Sequence, residues 1–339
     1  MSVGKSPSLI VVTGPTASGK TSLAIELANV INAEIINADS IQVYKHFDIG
    51  SAKPNNKELA AIPHHLISFL EPDEEFNAGI FIKRAKIIID EIASRGKNII
   101  ICGGTGLYLK ALIHGLLELD NIAEEVEADF ERATALLKEN SKDIADYALK
   151  LYQWLVEVDS DAIDRINPSD HQRVSRAILV KLATGKSIFE LQREHANKTI
   201  NYLSLTFCLL PPREFLYDQI NKRVEQMIAQ GLVEETKQII DNFGYNVKAL
   251  NSIGYLQAVR FLKNELSKEE MISDIQKQTR RFAKRQYTWW KHQPDILKWQ
   301  RVGATINSFD QIRDNSQKFL DKISPFNNQQ VFIQEIATN

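Results

Sequence analysis

The chain has 339 residues, enough for about two domains at roughly 150 residues per domain. Hydrophobic residues make up 44% and charged residues 25% of the sequence, which excludes a mainly disordered chain and a collagen-like one. The 41 Lys and Arg nearly balance the 43 Asp and Glu, so the net charge of −2 excludes a uniformly basic nucleic-acid coat but permits a local basic patch.

The sequence shows no sign of export or of membrane insertion. It contains no uninterrupted run of about 18 apolar residues, so we expect neither a spanning helix nor a membrane partner. The apolar run near the N-terminus is too short for the core of a signal peptide. Cys102 and Cys208, the two cysteines, lie in separate apolar runs and are predicted to be buried free thiols. These features favour a cytoplasmic protein.

Short apolar strands alternate with helical patterns over the first third of the chain. Strands are predicted at 8–13, 34–38 and 99–102, and helices at 20–31 and 78–94. Such alternation is typical of an α/β fold in which helices cover both faces of a parallel sheet.

The pattern changes near residue 119 to helices alone, and a strand-like run returns at 203–210. We therefore predict a catalytic α/β core of 1–119 and 200–324, interrupted by an all-helical insertion domain at 120–199. Within the insertion, helices are predicted at 122–139, 143–157 and 170–184. The last residues, 325–339, are expected to form a loosely ordered tail.

The segment from Gly14 to Thr21 matches the phosphate-loop pattern G-x-x-x-x-G-K-[ST], between a predicted strand and a predicted helix. Its backbone N–H groups and the helix N-terminus favour a di- or triphosphate. We assign phosphate binding to Gly14, Thr16, Ala17, Ser18, Gly19, Lys20 and Thr21, with Thr21 as the ligand of Mg²⁺. The motif alone leaves open which phosphate compound binds and whether phosphate is transferred or released.

Five further motifs follow in order: Asp39–Tyr44, Asp48–Pro54, Pro63–Leu66, Gly103–Tyr108 and Thr279–Trp289. Together with the phosphate loop, this set resembles the bacterial tRNA dimethylallyltransferases, also called tRNA isopentenyltransferases, from about residue 8 to about residue 300. The resemblance implies transfer of a dimethylallyl group from dimethylallyl diphosphate to N6 of adenosine 37, in tRNAs that read codons beginning with U. It also implies a P-loop NTPase-like fold, in which the loop holds a diphosphate leaving group, and Mg²⁺ as cofactor.

This chemistry requires cations on the departing diphosphate and a carboxylate near the weakly nucleophilic adenine amine. Asp39 follows the second strand at the phosphate-loop edge of the sheet and is the candidate general base. The alternative for Asp39 is a helix cap or loop acid, and the resemblance favours catalysis. By the same resemblance, the Thr105 hydroxyl orients the amine or a diphosphate oxygen, or else caps a helix, and Arg223 reaches the diphosphate from the opposite side. A solvated helix face is the alternative for Arg223.

Residues 277–291 contain six basic and no acidic residues, together with four aromatic ones. Arg281, Lys284 and Arg285 share a helical face that suits RNA phosphates, while Trp289 is expected to pack inward. The resemblance adds two further contact segments, so that we expect the insertion and the basic helix to clasp the tRNA anticodon arm. The residues assigned to tRNA are Asp39, Ser40, Ile41, Gln42, Thr105, Gln172, Arg173, Val174, Ser175, Arg176, Asn251, Gly254, Tyr255, Arg281, Lys284, Arg285 and Gln286.

Three other functions remain open at this point. A nucleotide or small-metabolite kinase shares the phosphate loop but does not explain the basic, aromatic-rich segment. An adenylate isopentenyltransferase acting on free AMP needs no RNA surface. A non-enzymatic RNA-binding switch leaves Asp39 without a role. Because one chain holds both proposed substrates, we expect a monomer with no obligate protein partner.

Overall fold

The computed structural model describes residues 7–116, 122–196, 202 and 204–292. The chain divides into two compact units, Met1–Ile113 with Asn201–Asn339, and His114–Ile200. These divisions fall within a few residues of the boundaries predicted for the core and the insertion. The predicted tail, 325–339, lies outside the described residues.

The first unit is built on a parallel sheet of five strands in the order β3-β2-β4-β1-β5. The strands are β1 (Leu9–Thr13), β2 (Ala33–Asn37), β3 (His64–His65), β4 (Asn98–Cys102) and β5 (Ser204–Cys208). The predicted class, a P-loop NTPase-like parallel α/β sheet flanked by helices, is confirmed. The sequence patterns miss β3, because a two-residue edge strand produces no periodic signal.

Twelve α-helices lie in the described part of the chain. They are α1 (Lys20–Ile31), α2 (Asn56–Ala61), α3 (Ala78–Ser94), α4 (Gly106–His114), α5 (Glu124–Glu139), α6 (Ile144–Val158), α7 (His171–Thr184), α8 (Ile188–Ala196), α9 (Arg213–Gln230), α10 (Leu232–Phe243), α11 (Tyr255–Leu262) and α12 (Lys268–Lys291). None of those described helices is long and apolar enough to cross a membrane.

The central strands are apolar on both faces because helices cover both faces. Ile35 and Ile100 belong to a buried cluster with Leu23 and Leu27 of α1. The next residue along each strand points to the opposite face, where α3 packs against β2 and β4. The free thiols of Cys102 and Cys208 are buried near the strand ends, as predicted.

Parallel strands deliver their following loops to one edge of the sheet, and this edge carries the site. The phosphate loop follows β1, the turn with Asp39 follows β2, and the turn Gly103–Thr105 follows β4. Because β4 lies between β1 and β2, its glycine turn separates the phosphate loop from Asp39.

The second unit has its own helical core. Phe130, Leu151, Leu155 and Val174 are among the residues buried there. Helix α7 begins after Asp170, whose side chain accepts a hydrogen bond from the Arg173 amide at 3.2 Å, and ends at the left-handed Gly185. Both end signals are visible in the sequence, and the α7 bounds agree with the predicted 170–184.

Candidate active site

The phosphate loop adopts a backbone that only small residues permit at its key positions. Gly14 has a φ of 138°, and a Cβ atom there would lie 2.3 Å from the Leu209 carbonyl oxygen. Gly19 is left-handed, with a φ of 88°, and directly precedes α1. The loop therefore wraps into the N-terminus of α1, where backbone N–H groups and the helix dipole together favour an anion.

Lys20 and Arg223 bring two cations to this loop. The Lys20 ammonium donates to the Pro15 carbonyl oxygen at 2.7 Å. Burial lowers the pKa of Lys20 to about 8, and the nearby Arg223 guanidinium acts in the same direction. Burial also lowers the pKa of Arg223, and neither cation forms an ion pair with any described residue. Two desolvated cations without a carboxylate in ion-pair contact form a site that a diphosphate would neutralise.

Asp39 is held by one of its two carboxylate oxygens. Its Oδ1 accepts hydrogen bonds from the Ile41 amide at 2.8 Å and from the Gln42 amide at 3.2 Å. This is the capping geometry that the sequence offered as the alternative to catalysis. Oδ2 accepts no hydrogen bond from the described residues, so the carboxylate is oriented and still has one oxygen for a proton.

Thr105 lies beside the turn that carries Asp39. The Thr105 amide donates to the Ala38 carbonyl at 3.4 Å, and the Thr105 carbonyl accepts the first helical bond of α4 from Tyr108. A Cβ atom on Gly103 would lie 2.2 Å from the same Ala38 carbonyl oxygen, so glycine is required for this approach. The Thr105 side chain is half-buried at the shared edge.

Gln286 joins two of these loops from α12. Its Oε1 accepts from the Thr16 amide at 2.8 Å, and its Nε2 donates to the Gly104 carbonyl at 3.0 Å. A Cβ atom on Gly104 would lie 2.6 Å from that Nε2. The sequence assigns Gln286 to RNA, but the structure buries it between the phosphate loop and the glycine turn. Trp289 packs against Gly106 beside it, as expected.

The residues assigned to tRNA differ in exposure, and exposed, half-buried and buried positions all occur among them. The exposed ones are Gln172, Arg173, Arg176, Asn251, Arg281, Lys284 and Arg285. Ser40, Ile41, Gln42 and Ser175 are half-buried. Gln42 is engaged within the protein, because its Nε2 donates to the carbonyls of Ser51 and Ala52.

Val174, Gly254, Tyr255 and Gln286, which were also assigned to tRNA, are buried in the structure. Val174 faces the core of the second unit, because its neighbours on α7 alternate between core and solvent at helical spacing. Tyr255 is fully buried, and its hydroxyl donates to Glu235 at 2.6 Å. Gly254 is the cap of α11, and its amide donates to the Gln257 side chain at 2.9 Å.

The exposed face of α12 carries a surface groove of about 670 Å³. Its lining residues are Arg281, Lys284, Arg285, Thr288, Trp289 and His292. Across the residues that the structure describes, no carboxylate pairs with the three cations, and the Arg285 guanidinium lies 5.7 Å from the centre of the Phe282 ring. Unpaired cations beside exposed aromatic rings suit phosphates and unstacked bases.

No group of three or more His, Cys, Asp or Glu residues in the described ranges is arranged to hold a metal ion. The phosphate loop does offer the Thr21 hydroxyl, in the first turn of α1 beside Lys20. One hydroxyl suits Mg²⁺ in a phosphate site, because that ion keeps several waters and takes its other ligands from the phosphates. The donor set therefore fits Mg²⁺ held jointly with substrate.

Glu235 is the structural contributor that sequence reasoning missed. It accepts hydrogen bonds from backbone amides of the segment 48–50, up to 187 residues away in the chain. No local pattern marks such a contact. The only sequence signal is the pair of motifs that it connects, Asp48–Pro54 and the segment ending at Tyr255.

Comparison with known proteins identifies close relatives over most of the chain. A family model described as IPP transferase matches residues 42–293. A tRNA dimethylallyltransferase of Myxococcus xanthus (strain DK1622) is 41% identical over 291 residues, which is 86% of this chain and 92% of that protein. A tRNA dimethylallyltransferase 2 of Syntrophus aciditrophicus (strain SB) is 42% identical over 298 residues, or 88% of this chain and 93% of that protein.

Solved structures are also similar to this chain over most of its length. A crystal structure of tRNA delta(2)-isopentenylpyrophosphate transferase from Staphylococcus epidermidis has a TM-score of 0.66 and 34% identity, covering 93% of this chain and 99% of that one. A eukaryotic dimethylallyltransferase acting on tRNA has a TM-score of 0.77 and 27% identity, covering 96% of this chain and 82% of that one.

Proposed function

We propose that this chain, which belongs to the IPP transferase family, transfers a dimethylallyl group from dimethylallyl diphosphate to N6 of adenosine 37 in tRNAs that read codons beginning with U. One observation carries the proposal: Lys20, Arg223 and the phosphate loop lie at the same sheet edge as Asp39, across the single strand β4. That edge offers a cationic end for a leaving group and a carboxylate for a proton.

The alkyl transfer forms one C–N bond and breaks one C–O bond, and a proton leaves N6. The N6 atom attacks C1 of the dimethylallyl group, and the C1–O bond breaks with its electron pair leaving on the diphosphate. The loop amides, Lys20 and Arg223 neutralise that charge as it develops. Mg²⁺, held by Thr21 together with the phosphates, would add further positive charge at the same oxygens.

Asp39 removes the proton that the new C–N bond makes acidic. Its Oδ1 stays fixed by the two backbone amides, and its Oδ2 accepts the N6 proton. Thr105, which follows the adjacent strand, would hold the amine or a diphosphate oxygen in line. The pair thereby orients the nucleophile relative to the allylic carbon.

The tRNA anticodon arm would be held by exposed cations. In the first unit these are Arg281, Lys284 and Arg285 on α12, with Asn251 in an exposed turn. In the second unit they are Arg173 and Arg176 on α7, with the Gln172 amide beside them. The target base must leave the anticodon stack, which costs less in a loop than in a duplex.

The proposed reaction is tested by incubating the protein with Mg²⁺, dimethylallyl diphosphate and an unmodified tRNA that carries A36–A37. The tRNA is then digested and its nucleosides are weighed. We expect a mass gain of one dimethylallyl unit on adenosine, without consumption of ATP. Product formed on AMP but not on tRNA would instead identify an adenylate isopentenyltransferase, and turnover of ATP would identify a kinase.

A further inference from the structure

The carboxylate of Glu235 on α10 closes a nest of backbone amides. It accepts hydrogen bonds from the amides of Asp48 at 3.1 Å, Ile49 at 2.8 Å and Gly50 at 3.2 Å. It also accepts one from the Tyr255 hydroxyl at 2.6 Å. Hydrogen bonds to a charged acceptor are stronger than neutral ones, and successive amides converging on one carboxylate fix the local backbone.

The segment 48–53 is held from two further sides. Tyr255 is fully buried beneath it, and a Cβ atom on Gly50 would lie 2.5 Å from the Tyr255 ring. Lys53 reaches back to donate to the Tyr44 carbonyl at 2.8 Å and to the Ser68 hydroxyl at 2.7 Å. Glu235 therefore contacts a segment that is also held by the buried Tyr255 ring and by the Lys53 hydrogen bonds.

This segment is hydrogen-bonded to the turn that carries Asp39. Gln42 donates its Nε2 to the carbonyls of Ser51 at 3.0 Å and Ala52 at 3.2 Å. The amide of the same Gln42 donates to Asp39 Oδ1 at 3.2 Å. Glu235, the segment 48–52, Gln42 and Asp39 thus form one continuous series of contacts.

We propose that Glu235 is a positioning residue for Asp39, acting through the segment 48–52 and Gln42, and that Tyr255 locks Glu235 in place rather than contacting RNA. The inference rests on the proposed function for the role of Asp39. It also assigns a structural role to the Asp48–Pro54 motif, which is to hold the turn that carries Asp39. It further predicts that Glu235 affects proton removal and leaves diphosphate binding unchanged, because Lys20 and Arg223 take no part in these contacts.

Amide hydrogen exchange tests the linkage without any measurement of activity. In Glu235→Gln, the side-chain NH₂ faces backbone donors and cannot replace a carboxylate oxygen. We expect faster exchange in peptides covering 48–50 and also in those covering 41–42. Faster exchange confined to 48–50 would overturn the proposal. The matched control is Glu234→Gln, because Glu234 is exposed on the same turn and makes no hydrogen bond to the segment.

Kinetics tests whether the effect passes through Asp39. We expect Glu235→Gln to lower kcat by roughly tenfold to a hundredfold, with KM for dimethylallyl diphosphate within about twofold of the wild type. In an Asp39→Asn background the same substitution should change kcat by less than about twofold, because the group that it positions is absent. An equal loss in both backgrounds would show that Glu235 acts independently and would contradict the proposal.

Tyr255→Phe provides a second test that does not depend on whether Glu235→Gln folds. It removes one hydroxyl from a buried ring and leaves the nest of amides intact. We expect a smaller loss in kcat and an unchanged Kd for tRNA, and weakened tRNA binding would overturn the assignment of Tyr255. Absence of product from the wild type would contradict the proposed function, whereas the exchange experiment would still decide whether Glu235 controls the Asp39 turn.

Discussion

Asp39 shows how one side chain can satisfy two interpretations that the sequence presents as alternatives. A cap and a general base both require a carboxylate after a strand, and only the family resemblance separates the two roles in the sequence. In the structure, Oδ1 accepts two backbone hydrogen bonds, and Oδ2 accepts none from the described residues. A carboxylate fixed at one oxygen is oriented before substrate arrives, which reduces the cost of reaching the reactive geometry.

Lys20 is predicted to destabilise the free protein. Its charge is desolvated, and its pKa is lowered from 10.5 to about 8. We expect Lys20→Met to raise the free energy of unfolding by about 1–2 kcal/mol at pH 7 while abolishing diphosphate binding. This gain in unfolding free energy should shrink as pH rises from about 8 to 10.5. Across that window Lys20 is already deprotonated in the native wild type but still protonated in the unfolded chain, so the wild type becomes relatively more stable.

Urea unfolding across that pH range measures the Lys20 effect. The control is Lys222→Met, which removes a lysine that is exposed on α9 and should change stability by less than about 0.5 kcal/mol. A loss of stability in Lys20→Met at pH 7 would contradict the account of a desolvated charge.

Glu34 on β2 is predicted to make stability sensitive to acid. Burial raises its pKa, but hydrogen bonds from His65, Lys97 and Arg95 outweigh burial and lower the pKa from 4.5 to about 2. The contribution of the carboxylate is present above pH 4.5 and is lost as pH falls towards 2. We expect Glu34→Gln to cost about 3 kcal/mol at pH 7, with the difference from wild type narrowing towards pH 2.

Unfolding free energies at pH 7 and pH 3 decide this prediction. Glu91→Gln, at an exposed position on α3, serves as the control and should behave like the wild type at both values. If Glu34→Gln lowered the unfolding free energy equally at pH 7 and pH 3, the role of the Glu34 charge would be refuted.

At the scale of single elements, α12 carries different tasks on its two faces. Arg281, Lys284 and Arg285 are exposed, whereas Gln286 and Trp290 are buried. Helical periodicity identified the cationic face correctly. It could not identify the task of Gln286, because a polar residue next to three cations is typical of a surface, and its partners Thr16 and Gly104 lie 270 and 182 residues away.

Gln286 is predicted to support the phosphate loop rather than RNA. Gln286→Ala removes both hydrogen bonds that join the loop to the glycine turn. We expect the Kd for inorganic pyrophosphate, measured by calorimetry, to rise about tenfold, corresponding to about 1.4 kcal/mol. Gln276→Ala, on the same helix at a position whose side chain makes no hydrogen bond to the described residues, should bind pyrophosphate normally. Weaker tRNA binding with unchanged pyrophosphate binding would restore the assignment of Gln286 to RNA.

The outer face of α12 is predicted to bind RNA phosphates. Reversing both charges in Arg281→Glu/Arg285→Glu should weaken tRNA binding and reduce the slope of log K against log salt by about 0.7 for each phosphate that the protein no longer neutralises. Pyrophosphate binding should be unchanged. The control is Lys263→Glu/Lys268→Glu, which changes the net charge by the same amount at exposed positions outside the groove. Unaltered tRNA affinity and salt slope in the α12 variant would contradict an RNA-binding face.

At the scale of the whole molecule, local sequence patterns predicted four of the five strands and the sheet edge at which the motifs meet. They succeeded because parallel strands need apolar runs and because their ends are marked by glycine and proline. They missed β3, which is too short to show a period, and the contacts of Glu235, which join elements far apart in the chain. The burial of Val174 and Tyr255 was also not foreseen, because a motif names residues without stating which face they occupy.

The central claim is that one edge of the sheet holds a diphosphate with its cations and a proton acceptor across β4. The most direct measurement is the single-turnover rate of dimethylallyl transfer to tRNA by the wild type and by Asp39→Asn, with pyrophosphate affinity measured in parallel. We expect a rate lower by about 10²–10⁴-fold in Asp39→Asn, with an unchanged Kd for pyrophosphate, because the amide keeps the Oδ1 contacts and loses the base. Transfer at the wild-type rate by Asp39→Asn would contradict it.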